Sequence, residues 1–333
     1  MSSFENLTKL AADIGADIRL VQGAGGNVSF KDRDTMWVKA SGTWMADAHK
    51  RMIFVPLDLS VARSALDSGS DDFSVAIKNN SSGLRPSIET SLHVLMPHSV
   101  VVHVHSVNAL SWAVRHDGKF AVAEKLNGLA WAWVDYVRPG LPLTRSVANA
   151  LAANPDACLL LLANHGIVVA ADTTKAARDL LSEVESRLQT HSPGRVSDIT
   201  FSNIQIPHGC RLPANMLIHQ LAHVPSYFHL LEGALYPDHA LFLGTSIPIL
   251  EAEIKGDIVG VLKTYPYCAA LAGEGFILGE KCSAGAEAML ECLALLAPCL
   301  PERDKLRFLN SKEVAEISNW DAEKARLNIN RSA

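Results

Sequence analysis

Apolar positions along this chain fall into short runs of two kinds, and the two kinds alternate. The valine-rich stretch Ser99–His105 and the continuous apolar runs Cys158–Ala163 and Ile167–Ala171 have the length and branching of buried strands. The last two flank Asn164-His165-Gly166, a turn sequence, and predict a strand–turn–strand unit. Directly after it, Asp172 or Thr173 can cap a helix in which Ala176, Leu180, Val184 and Leu188 recur at helical spacing. Ser87-Ile-Glu89-Thr-Ser-Leu-His93 predicts a short helix before a break at Pro97, with Ser87 as cap and Glu89 and His93 on one face.

Two polar stretches punctuate the pattern. Asp67–Arg85, rich in Ser, Asp, Asn and Gly, predicts a surface loop. His191–Arg195 carries Pro-Gly after the long helix, which places a domain boundary near residue 195 and gives domains 1–195 and 196–333. Interleaved strands and helices predict an α/β fold, and the strand–turn–strand unit argues for a mixed, largely antiparallel sheet. A dinucleotide fold fits poorly, because Gly23-Ala-Gly25-Gly26-Asn27-Val28 places Val28 where GxGxxG requires its last glycine.

Composition narrows the class. With 333 residues, 48% of them hydrophobic, the chain can bury one large core or two ordinary ones. Thirty Lys and Arg against 35 Asp and Glu give a net charge of −5, and no block of like charge could track a nucleic-acid backbone. The opening MSSFENLTKLAADIG lacks the basic-then-apolar layout of a signal peptide. The longest apolar run, Leu159–Ala171, is too short to span a bilayer and is broken by Asn164-His165-Gly166, so no membrane span is expected. Six cysteines without a CxxC pair, most among aliphatic residues, read as reduced thiols of a cytoplasmic protein.

Three features carry candidate chemistry. In Val101-Val102-His103-Val104-His105, strand alternation points both histidines one way and Val102 and Val104 the other. Two imidazoles on one strand face can share a metal ion, although histidines packed in a core give the same pattern. His165 sits at the tight turn, as a ligand or as a satisfied loop residue. Glu89 offers a carboxylate, either for the site or for the helix dipole. Three histidines and a carboxylate would suit zinc or another imidazole-accepting metal.

The ordered blocks GNVS, KASG, PSIETSLH, VVHVHS and LLLANHGIVV resemble the class II aldolase/adducin family, which includes the fuculose- and rhamnulose-phosphate aldolases. The resemblance covers roughly residues 5–190. It looks closest to the aldolase portion of bifunctional rhamnulose-phosphate aldolase/dehydrogenases, whose segments the closing EISNWDAEKARLNI also resembles. It implies a layered α-β-α catalytic domain with a smaller α/β C-terminal domain. It also implies one divalent ion per subunit held by His103, His105 and His165, with zinc the first choice and manganese or another divalent ion the alternative. Glu89 matches the family's catalytic carboxylate, and Asn27, Ser41, Gly42 and Ser87 match positions that hold a substrate phosphate. The implied activity is a lyase that cleaves or forms a carbon–carbon bond in a ketose phosphate or related sugar, through a metal-stabilised enediolate. 4-Epimerases and 3-keto sugar-acid decarboxylases share the family, and adducin uses the fold as a scaffold without catalysis. Partners implied are a sugar or sugar-phosphate and further copies of the chain in a symmetric homo-oligomer, with no nucleic acid or membrane.

In one respect the chain departs from the family. The fuculose aldolase has a tyrosine acid/base some twenty residues after the first ligand, and Lys119–Lys125 has none. The nearest, Tyr136, reads as a packed residue before the Arg138-Pro139-Gly140 turn. In the C-terminal half, Cys268–Leu278 and the apolar helix near Ala284–Leu296 echo Leu159–Val169 and its helix, and Pro237–Leu243 echoes Pro97–His103. This alignment predicts a shortened, degenerate copy without the metal site, because Glu274 replaces His165, Leu243 replaces His103 and Thr245 replaces His105. His239 and Glu274 are expected at solvent-facing loops.

Overall fold

The computed structural model describes residues 3–79, 81–190, 206–251 and 258–331. Two compact units emerge. One comprises Met1–Ala113 and Asp117–Gln189, the other Val114–His116 and Thr190–Ala333. The boundary expected near residue 195 lies outside the described residues.

The first unit begins with α1 (Ser3–Gly15), β1 (Asn27–Asp32), β2 (Thr35–Lys39), β3 (Phe54–Asp58) and α2 (Leu59–Asp67). Then come α3 (Thr90–Leu95), β4 (Val100–Val104), α4 (Val107–Ala113) and α5 (Gly118–Lys125). β5 (Trp131–Val134), α6 (Leu141–Ala153), β6 (Leu159–Leu162), β7 (Gly166–Ala171) and α7 (Thr174–Leu188) complete it. The seven strands form one sheet in the order β3-β2-β1-β4-β7-β6-β5. Only β5 and β6 run parallel; the other neighbours are antiparallel, so the sheet is mixed and largely antiparallel.

Alternation along the strands builds the layers. Val100, Val102 and Val104 of β4 join Val28, Leu159, Leu161, Ile167 and Val169 beneath α1 and α7. Val101, Leu160, Leu162, Val168 and Ala170 face the other way, toward Leu92 of α3 and Leu143 and Val147 of α6. Each fully buried valine contributes roughly 1.5–3 kcal/mol, so the central strand is anchored from both sides. The Thr173 hydroxyl caps α7 by accepting from Ala176 N–H, as its position before the apolar repeat suggested. The buried stripe of α7 is Ala177, Leu181, Val184 and Leu188. The predicted Ala176 and Leu180 thus lie one position off the buried face, because four-residue steps drift around a 3.6-residue helix. The Asp67–Arg85 stretch is not wholly a surface loop, since Phe73 and Ala76 plug into the core between β2, β3 and α2.

The second unit contains a 3-10 turn at Met216–His219, α8 (Gln220–His223), α9 (Pro237–Leu243), β8 (Ile249–Leu250) and α10 (Ile258–Thr264). β9 (Cys268–Leu271), β10 (Gly275–Leu278), α11 (Ala284–Leu296), α12 (Ser311–Ser318) and α13 (Asp321–Arg331) follow. Its sheet has the order β10-β9-β8, with β8 parallel to β9 and β9 antiparallel to β10. Pro237–Leu243 is a helix, which corrects its alignment with the strand-forming Pro97–His103. Pro237 sits in the first helical turn, where its ring is preorganised, and every side chain of the segment is buried. His239 is therefore a core residue and not a loop residue, and Glu274 is buried in the β9–β10 turn. No helix among the described residues is long and apolar enough to cross a membrane.

Candidate metal centre

The centre of the sheet gathers the three histidines. β1 and β4 pair so that Asn27 lies directly across from His103. That approach requires Gly26, whose φ is +59° and whose Cβ, if present, would lie 2.7 Å from the His103 carbonyl oxygen. His103 Nδ1–H donates to the Ile167 carbonyl at 2.9 Å, which fixes the tautomer and directs the Nε2 lone pair inward. His105, one residue beyond β4, brings its Nε2 to 3.2 Å from that of His103. His165 is carried in by the β6–β7 hairpin, where Leu162 pairs with Gly166 and Asn164 adopts a left-handed φ of +50°. Its ring centroid lies 4.9 Å from His103 and 5.2 Å from His105.

One ring nitrogen from each histidine lies within 4.8 Å of the others, and all three side chains are buried. Two ligands at tetrahedral angles with ~2.05 Å bonds would sit ~3.3 Å apart, close to the His103–His105 nitrogen separation. The donor set therefore fits a divalent ion that accepts imidazole.

Glu89 faces this cluster. Its Oε1 lies 3.3 Å from His165 Nε2, and its Oε2 lies 3.4 Å from His103 Nε2. Burial works to raise its pKa, but the facing His103, His165 and His105 and the Asn27 amide outweigh that, holding the carboxyl at about 2. Glu89 occupies the residue before α3, so its side chain projects from the helix end. Ser87 does not cap that helix as expected. Its hydroxyl accepts from Glu89 N–H and from Asn27 Nδ2, because α3 starts only at Thr90, whose own hydroxyl donates back to the Ser87 carbonyl.

Of the four residues matched to a phosphate site, three share one loop cluster. Ala40 bridges Pro86, Ser41 N–H donates to the Arg85 carbonyl at 2.9 Å, and Ser87 N–H donates to the Lys39 carbonyl at 3.0 Å. Gly42 turns the loop with a φ of +75°. Asn27 joins the cluster through Ser87 but is turned to Glu89: its amide nitrogen donates to Ser87 Oγ at 3.1 Å and to Glu89 Oε2 at 2.8 Å, and its oxygen meets His93 Nε2.

Sequence reasoning gave no role to three polar residues here, although it set His93 on one helix face with Glu89. His93 and Ser29 join the Asn27 network, with His93 Nδ1 2.7 Å from Ser29 Oγ. The buried Lys39 ammonium donates to the Ala24 and Ala40 carbonyls, joining the glycine-rich turn to the Ser41–Gly42 loop. The available signals were the four-residue step from Glu89 to His93 and the shared strand face of Asn27 and Ser29. Tyr136 is half-buried in the segment between β5 and α6.

Residues 5–192 match the family of the class II aldolase and adducin N-terminal domain. The chain is also similar to YuxG of Bacillus subtilis (strain 168), an uncharacterized oxidoreductase, with 34% identity over 177 residues. That match covers 49% of this chain and 25% of YuxG, so the chain spans about a quarter of that relative. Among solved structures it is similar to the N-terminal class II aldolase domain of a conserved protein from Thermoplasma acidophilum. There the identity is 26%, the TM-score 0.49, and the coverage 56% of this chain and 92% of that one. It is also similar to the L-fuculose-1-phosphate aldolase of Thermus thermophilus, at 16% identity and a TM-score of 0.39, covering 56% and 92%.

Proposed function

This chain belongs to the class II aldolase and adducin family, and we propose that it is a divalent-metal-dependent aldehyde-lyase acting on a ketose phosphate or related sugar. The observation that carries this reading is the buried cluster of His103, His105 and His165 with the Glu89 carboxylate against it. Breaking a carbon–carbon bond beside a ketone leaves negative charge on the substrate, and the chain needs a means to stabilise it.

A divalent ion held by His103, His105 and His165, with zinc favoured by the donor set, would supply Lewis-acid stabilisation of that charge. Glu89 handles the proton. Asn27 engages Oε2, so Oε1 is the oxygen that removes a proton from the substrate carbon on condensation and, on cleavage, takes up the proton released by the substrate hydroxyl and delivers it to that carbon. Ser41, Gly42 and Ser87 offer short hydroxyls and loop backbone to a substrate phosphate. We assign the Asn27 side chain to Glu89, since both ends of its amide are engaged within the protein. A symmetric homo-oligomer is part of the same reading, and light scattering tests it.

Metal analysis and a product screen test the function. The purified protein should bind about one zinc or manganese per subunit. His103→Ala should lose metal and turnover together, whereas Glu89→Gln should keep metal and lose turnover. Ketose phosphates should yield an aldehyde, with inorganic phosphate inhibiting competitively. Carbon dioxide from a 3-keto sugar acid would overturn the lyase reading in favour of a decarboxylase, and a product epimeric at C4 would favour an epimerase. Absence of metal affinity would support a scaffold role.

A further inference from the structure

We propose that His93 is a positioning residue that locks the orientation of the Asn27 amide, and through it presents Glu89 to the substrate by a single oxygen. The inference rests on the reading of Glu89 as the proton carrier.

Hydrogen-bond directions in this network follow from its chemistry. An ionised carboxylate only accepts, so the group 2.8 Å from Glu89 Oε2 is the Asn27 amide nitrogen. The same nitrogen gives its second hydrogen to Ser87 Oγ at 3.1 Å. The Asn27 oxygen must then face His93 Nε2, and that nitrogen must carry the proton. A neutral imidazole protonated at Nε2 presents Nδ1 as an acceptor, and Ser29 Oγ lies 2.7 Å away to donate to it. One chain of donors thus runs from the Ser29 hydroxyl to His93, to Asn27 and on to the carboxylate.

Every member is buried, so water cannot substitute for a lost partner. A flipped Asn27 would set its oxygen against the carboxylate and its amino group against the His93 N–H, two repulsive contacts. Burial pushes His93 down to about 3, so the ring stays neutral and retains its acceptor nitrogen. The consequence falls on the two oxygens of Glu89. Oε2 is held by Asn27, whereas Oε1 makes no hydrogen bond and faces the His165 ring. The hydrogen bonds of His93 go to Asn27 and Ser29, so its effect on Glu89 passes through Asn27.

The test has two independent parts. In the wild-type protein, selectively 15N-labelled histidine should show His93 as the Nε2–H tautomer across pH 5–9. The Nδ1–H tautomer would overturn the proposal whatever reaction the protein catalyses. Kinetics use the ketose phosphate cleaved in the product screen, with metal content measured alongside. His93→Leu should keep its metal and lose on the order of 100-fold in kcat, the scale of a misplaced catalytic group, with KM little changed. His93→Gln, which restores a donor, should recover most of that loss. In an Asn27→Ala background, His93→Leu should have no further effect; independent, additive losses would show that His93 does not act through Asn27. Should His93→Leu fail to fold, Ser29→Ala tests the same chain from its far end. That variant should lower kcat several-fold and mix the two His93 tautomers, and unchanged kcat with a single tautomer would refute the lock. A protein that cleaves no ketose phosphate but shows the predicted tautomer would refute the lyase reading and leave the lock standing.

Discussion

Acidification should weaken the C-terminal unit through His239, in a way that one substitution exposes. The ring lies inside α9 beside Tyr236, and its Nδ1 accepts a hydrogen bond from Leu235 N–H at 3.4 Å. Burial pushes its pKa from the ordinary 6.5 down to about 4. Protonation would put a charge in a buried site and an N–H against the Leu235 N–H, which explains the direction. Above pH 6.5 the ring is neutral in both folded and unfolded chains and contributes no pH dependence. Below it, the unfolded chain takes up a proton that the folded chain refuses until about pH 4. Stability therefore falls as pH falls, by ~1.4 kcal/mol per pH unit, and levels off below the folded value. The accumulated loss is about 2 kcal/mol at pH 5 and about 3 kcal/mol in full. Urea denaturation at pH 7, 6 and 5, followed by far-UV circular dichroism, measures it. His239→Gln removes the titration while keeping a polar side chain, so its stability should fall less between pH 7 and pH 5 by that ~2 kcal/mol. Equal slopes for wild type and variant would refute the argument.

Two further substitutions probe each unit separately. Gly26→Ala places a side chain at φ +59° and within 2.7 Å of the His103 carbonyl oxygen. It should cost at least ~1–2 kcal/mol and lower metal uptake, and a variant with wild-type melting and metal content would contradict the close approach. Arg326→Met removes the guanidinium that pairs with both Asp238 oxygens and lies 3.3 Å from Glu323 Oε2, all three side chains being buried. Leaving the two carboxylates without it should cost about 3–5 kcal/mol in urea denaturation, and a loss below ~1 kcal/mol would show that the pair is not desolvated.

The strand faces and the hairpin were readable because their geometry is local. Alternation alone puts His103 and His105 on one side of β4, and the apolar runs around Asn164-His165-Gly166 close into an antiparallel pair with little choice of register. The surroundings of Glu89 were not readable, because they depend on which strand lies beside β4. Only the β1–β4 pairing sets Asn27 across from His103 and brings Ser29 to His93. Pro237–Leu243 failed for a different reason. A seven-residue segment ending in Ala-Leu-Phe-Leu satisfies either a strand or a buried helix, and the proline at its start was the local cue for a helix.

The second unit shows how much of the site is non-local. Both units contain strand, helix, strand, hairpin turn, strand and capped helix, with the first strand pair parallel and the second antiparallel. Ser283 caps α11 by accepting from Ala286 N–H, as Thr173 caps α7. Leu271 pairs with Gly275 as Leu162 pairs with Gly166, and Glu274 N–H donates to Leu271 as His165 N–H donates to Leu162. What differs is the neighbour. A Cβ on Gly166 would meet the Val104 carbonyl of β4, whereas a Cβ on Gly275 would meet the ring of His219. His219 Nδ1 also accepts from Phe276 N–H at 3.1 Å, and Arg211 bridges Leu278 through its backbone, so an imidazole and one bridge serve this edge where a whole strand serves β7. Two of the three clustered histidines of the first unit come from β4 and the residue after it. Where the His219 ring and the single Arg211 bridge serve the edge instead, a similar hairpin has no ligand-bearing strand beside it. Among the described residues, the three-imidazole cluster accordingly occurs in the first unit alone.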